Sequence, residues 1–125
     1  MFTTEQNNIL SLIAATIFAD KRVFASEIEA FVKAARNLRP LRRSKNAPSE
    51  ADILLWYETN KPDIQGKIST PYFKDWYYDL LEKLSDIPEK NSILEVMQEV
   101  SRADGSVHVS ERALMMLAKR HWGLD

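Results

Sequence analysis

Apolar residues recur along this chain at intervals of three and four, the spacing that places them on one face of an α-helix. Ile9, Ile13 and Ile17, with Leu10, Leu12 and Phe18 beside them, predict a helix from about Thr4 to Ala19, capped by Thr3 or Thr4. Ile28, Phe31, Val32, Ala35 and Leu38 predict a second, opening at Ser26 with Glu29 as its capping-box partner and closing at Pro40. Residues 39–49 carry two prolines and a basic run without a period, and read as a loop. A third helix is expected near Ser49, with Glu50 and Asp52 in its first turn and Ile53, Leu54, Trp56 and Tyr57 along it. A short turn of helix follows at Pro62, limited by Gly66. Thr70 and Pro71 then open a helix lined by Phe73, Trp76, Tyr77, Leu80, Leu81 and Leu84. Ile93, Leu94, Met97 and Val100 mark another from about Pro88 to Ala103. The last is expected to start at Ser110, to bury Leu114, Leu117, Ala118 and Trp122, and to stop at a left-handed Gly123 with Leu124 folded back. No segment alternates at period two. The expected fold is all-α, a single domain over residues 1–125 in a bundle of about six to seven helices.

One stretch occurs twice. Residues 19–29 read ADKRVFASEIE and residues 103–112 read ADGSVHVSER, matching at Ala19/Ala103, Asp20/Asp104, Val23/Val107, Ser26/Ser110 and Glu27/Glu111. Each follows one apolar run and precedes another, so each reads as a tight turn between antiparallel helices, giving two pseudo-repeated helical hairpins. In both, the Asp falls at the end of one helix and the Glu at the first residue of the next. Two carboxylates brought that close repel unless a cation, a proton or a basic side chain lies between them. Oxygen ligands of this kind suit a hard ion such as Ca²⁺ or Mg²⁺, although neither turn has the ligand number or the central glycine of an EF-hand. An equally simple account is local: Asp bonds its own turn, and Ser followed by Glu caps a helix.

Composition narrows the function classes. The 45% hydrophobic and 28% charged content is that of a soluble globular protein. Without cysteine, disulfides, thiolate zinc sites, iron–sulfur clusters and cysteine nucleophiles are excluded. No apolar run reaches the length of a membrane span, and the first twenty residues, with Glu5 and no early Lys or Arg, do not read as a signal peptide. The net charge of −1 is unevenly placed. Arg36, Arg39, Arg42, Arg43 and Lys45 fall within ten residues free of acid, leaving 12 of the 17 basic side chains to balance 18 acidic ones elsewhere. This basic segment is a candidate contact for an acidic protein or for nucleic acid. A pI near 6.1 and the lack of any nucleic-acid motif weigh against the latter. The three glycines are too scattered for a phosphate loop, and no nucleophile-elbow or Ser–His–Asp pattern is present. His108, between Asp104 and Glu111, is a candidate transition-metal ligand set against a solvent-facing turn histidine, while His121 reads as a partly exposed helix residue. Trp56, Tyr57, Tyr72, Phe73, Trp76, Tyr77 and Tyr78 exceed what one helix face can hide, so Tyr72 and Tyr78 are expected at the surface, where Tyr favours protein contacts.

The segment Arg102-Ala103-Asp104-Gly105 followed by Glu111, its weaker copy from Ala19-Asp20 to Glu27, the run from Asp52 to Tyr57 and the closing Trp122-Gly123-Leu124 together resemble the TerB-like helical domain of bacterial tellurite-resistance proteins. The same domain occurs at the soluble end of DnaJ-like membrane co-chaperones. The resemblance implies an all-helical, cytoplasmic stress-response module whose acidic positions, here Asp20, Glu27, Asp104 and Glu111, are proposed to bind a metal. Lys21 stands where the family usually has Gly, and Lys21 and Arg22 offer their own charge to Asp20 and Glu27. The reading is a non-enzymatic binding or scaffold module with a protein partner, taking a divalent cation through the duplicated acids, with no membrane insertion. The alternatives are a metal-dependent hydrolase using the same carboxylates with His108, and an adaptor working through Arg36 to Lys45.

Overall fold

Ten successive residues of the first helix, Ile9 to Phe18, leave only Ser11 outside the interior, and the other helices are arranged around that fact. The computed structural model describes residues 2–19, 23, 25–43, 47–103, 105 and 108–124. Among these it has seven helices and no strand: α1 (Thr4–Phe18), α2 (Ala25–Arg36), α3 (Arg39–Arg42), α4 (Glu50–Ile68), α5 (Phe73–Lys83), α6 (Lys90–Arg102) and α7 (Val109–Trp122). A helix apolar on every side must be enclosed on every side. Accordingly α1 packs against α2, α3, α4, α5, α6 and α7. The second axis of the fold is α6, amphipathic, which meets α1, α2 and α7 through Ile93, Leu94, Val96, Met97 and Val100. None of the described helices is long and apolar enough to cross a membrane.

Several helix ends form as the residues dictate. Thr3 caps α1, its hydroxyl accepting from the Gln6 amide at 3.1 Å while Gln6 Oε1 accepts from the Thr3 amide at 3.0 Å. Ser49 caps α4 in the same way with Asp52. Gly123 adopts φ +67°, and Leu124 N–H donates to the Lys119 carbonyl at 2.9 Å, the left-handed stop expected of a helix-terminal glycine.

Others differ. The second helix starts at Ala25 and ends at Arg36, so Ser26 is inside it rather than capping it, and Glu29 accepts from Lys33 at 2.8 Å. That bond and the Lys33 charge hold the Glu29 carboxyl below its ordinary range. Likewise α7 begins after His108, so Ser110 is its second residue and not its cap. The expected loop at 39–49 contains α3, a single turn with Pro40 near its start, held because Pro40 and Leu41 are buried. No break occurs at Pro62 or Gly66; α4 passes through both. Proline there removes one amide donor to the Glu58 carbonyl, and both residues are exposed, so water can satisfy that oxygen. Thr70 does not cap α5, whose first residue is Phe73; its hydroxyl donates back to the Lys67 carbonyl at 3.0 Å, closing α4.

Two buried tyrosines bind the bundle in different ways. Tyr77 of α5 donates its hydroxyl to the Leu114 carbonyl of α7 at 2.8 Å, and burial drives its phenol pKa up. Tyr57 of α4 stacks on Phe18 at 5.8 Å and tilts against Phe31 at 6.0 Å, but its buried hydroxyl has no hydrogen-bond partner among the described residues. The two should therefore respond oppositely to loss of the hydroxyl. Tyr77→Phe is expected to cost about 1 kcal/mol, the net worth of a buried hydrogen bond, whereas Tyr57→Phe, relieving an uncompensated desolvation, should be neutral or stabilising by about 1 kcal/mol. Urea denaturation of both variants checks this; equal losses would contradict the assignment.

Candidate acidic site at the helix starts

The duplicated stretch places one glutamate in each of two helix starts. Glu27 is the third residue of α2 and Glu111 the third of α7, rather than the first as the sequence reading has it. Position three suits an acid: the unpaired amides and the helix dipole both favour negative charge. Glu111 Oε1 accepts the His108 backbone N–H at 3.1 Å, tying the turn to the helix, and His108 is half-buried as the residue preceding α7.

Capping alone does not explain the burial. Glu27 and Glu111 are both 0% exposed. At the start of α4, Asp52 does the same local work while exposed, and the Ser49 amide that it accepts holds its carboxyl below the usual range. A carboxylate carried into the interior loses the hydration that Asp52 keeps, a cost that only close compensating charge or donors offset. That the two buried acids stand at matching positions of the repeated stretch sets them apart from ordinary caps.

Ala19, at the end of α1, and Ser110, beside Glu111, line one cavity, so the exit from α1 and the entry to α7 face a common space. Glu27 is close enough to Tyr57 to contribute to its raised phenol pKa of about 12, to which burial contributes most and Glu58 more than Glu27. Tyr57 in turn stacks on Phe18, the last residue of α1. Asp20 and Asp104, like Lys21, Arg22 and Lys45, lie outside the described residues. Among the described residues no three or more His, Asp or Glu are grouped to hold a metal.

The basic segment is partly engaged. Arg36 lies 3.6 Å from Glu50, and Arg43 3.8 Å from the buried Glu89. Arg39 and Arg42 are exposed. His121 sits 2.9 Å from Glu82 and stacks on Tyr78 at 5.9 Å, away from the acids. Tyr72 and Tyr78 are at the surface as expected, 73% and 36% exposed.

Sequence reasoning missed one feature, a cavity of about 450 Å³ between α5 and α7 floored by Ala15 and Ala19. The available signal was the pair Ala113 and Met116, small and apolar residues on the side of α7 away from its buried stripe. No family model, curated protein or solved structure matches this chain.

Proposed function

We propose that this protein is a non-enzymatic binding module, a pseudo-repeated pair of helical hairpins that takes a divalent cation between its duplicated acids. The observation that carries the reading is the complete burial of Glu27 and Glu111 at equivalent helix starts. With Asp20 and Asp104 adjoining them in the sequence, the donor set is carboxylate oxygen alone, which suits a hard ion of the Ca²⁺ or Mg²⁺ type. A cation shared by these acids would lock the exits of α1 and α6 to the starts of α2 and α7, a structural role that needs no reaction. A hydrolase would need a carboxylate open to water and substrate, and the burial of both glutamates favours binding over that alternative. The resemblance to TerB-like domains supplies the setting, a bacterial cytoplasmic stress response with tellurite resistance as its named form, and a protein partner.

Thermal unfolding in EDTA against millimolar Ca²⁺, Mg²⁺, Mn²⁺ or Zn²⁺ tests the reading. A ligand held only by the folded state stabilises by about 2.7 kcal/mol at one hundred times its Kd, so a rise of several degrees is expected for a hard ion. The double variant Glu27→Gln/Glu111→Gln, which keeps the shape and an acceptor oxygen, should lose that rise. If none of the four ions moves the transition, the buried acids are structural and the cation reading fails.

A further inference from the structure

The last helix turns one side inward and leaves the other uncovered. Leu114, Met115 and Ala118 of α7 are buried, while Val109 and Met116, two turns apart on the same side, are 83% and 49% exposed. Along one flank of this ridge lies the 450 Å³ groove between α5 and α7, walled by Phe73, Trp76 and Leu117. Along the other is a smaller hollow of about 170 Å³ that shares Met116.

Among the described residues the charge around these hollows has one sign. Lys74 and Arg120 line the groove; Arg102, Arg112 and Lys119 line the hollow; no described Asp or Glu lines either. None of the five basic side chains is ion-paired with a described residue. A concave apolar floor between two helices accepts side chains spaced as on a third helix, and an unneutralised basic rim selects acid beside them. A membrane surface is better met by a protruding apolar face than by a groove.

We infer that the α5–α7 groove binds an acidic amphipathic helix of a partner protein, with apolar anchors on Phe73, Trp76 and Met116 and carboxylates on the surrounding Lys and Arg. Neither Glu27 nor Glu111 lines this surface, and although Ser110 beside Glu111 borders one end of the groove, the substitutions that test it leave both glutamates in place.

The probe is a fluorescein-labelled helical peptide of about fourteen residues, with Leu at positions i, i+3, i+4 and i+7 and Glu at the flanking positions. Its counterpart carries Lys for every Glu. Titrated with the full chain, the acidic peptide should bind saturably, at least tenfold more tightly than the basic one, and more weakly as salt rises. Met116→Asp and the double change Lys74→Glu/Arg120→Glu, all at exposed positions, should each weaken binding at least tenfold with the helical circular dichroism retained. Should Met116→Asp lose its fold, Arg112→Glu/Lys119→Glu takes its place with the same expectation. Absence of saturable binding at millimolar protein, equal binding of both peptides, or indifference to the substitutions would overturn the inference. So would tight binding of phosphatidylglycerol vesicles, lost in the same variants, with no binding of the peptide, since the surface would then serve a membrane.

Discussion

Ala14→Asp is expected to abolish the folded state. Ala14 is fully buried in α1, and the residues before and after it, Ile13 and Ala15, are equally enclosed. Helices pack on α1 all round, so a carboxylate at position 14 has no short path to water and no designed partner inside. The penalty for an uncompensated interior charge is several kcal/mol, against a total stability of about 5–15 kcal/mol for a domain of this kind. Ser11→Asp, three residues away at the one half-exposed position of the stretch, is the control, with an expected change within about 1 kcal/mol. Far-ultraviolet circular dichroism with a urea titration compares them. Native-like unfolding of Ala14→Asp would mean that α1 has an open side.

The second large effect is expected at Phe31. This fully buried ring of α2 lies 6.1 Å from Trp56 and 6.0 Å from Tyr57, and through Tyr57 reaches Phe18. Three helices therefore meet through one aromatic cluster, beside the start of α2 that holds Glu27. Phe31→Ala should cost about 3–5 kcal/mol, the lost transfer energy plus that of the cavity left behind. Phe31→Leu keeps most of the volume and should cost less than half as much. The same denaturation experiment decides; a loss below about 1 kcal/mol in Phe31→Ala would show that the cluster relaxes into the gap.

How much of this was readable from the residues differs by element. The helical period, the Thr3 cap, the start of α4 at Ser49 and the Gly123 stop are local, and each formed where the chain specified it. The starts of α2 and α7 were misplaced because Ser26 and Ser110 have the chemistry of a cap, yet the helices begin earlier and enclose them. Pro62 and Gly66 looked like breaks because they are weak helix formers, but in a solvent-facing stretch anchored by Ile64 and Ile68 their cost is tolerable. The turn of α3 had no period to show, being set by burial of Pro40 and Leu41 against other helices. For the acidic site, the sequence paired Glu27 with Glu111 but contained no sign of their burial. The α5–α7 groove was equally hidden, because which side of α7 stays uncovered depends on how its neighbours pack, not on its own pattern.

The central place of α1 bears on how the molecule is made. Two of the helices that enclose it, α6 and α7, come from the far end of the chain. A nascent polypeptide still on the ribosome holds Ile9 to Phe18 with much of that cover unsynthesised, and such exposed apolar sequence is what chaperones recognise. Closure must await the final helix, so the unit should fold only once α7 has emerged from the ribosome rather than stepwise as the earlier helices appear.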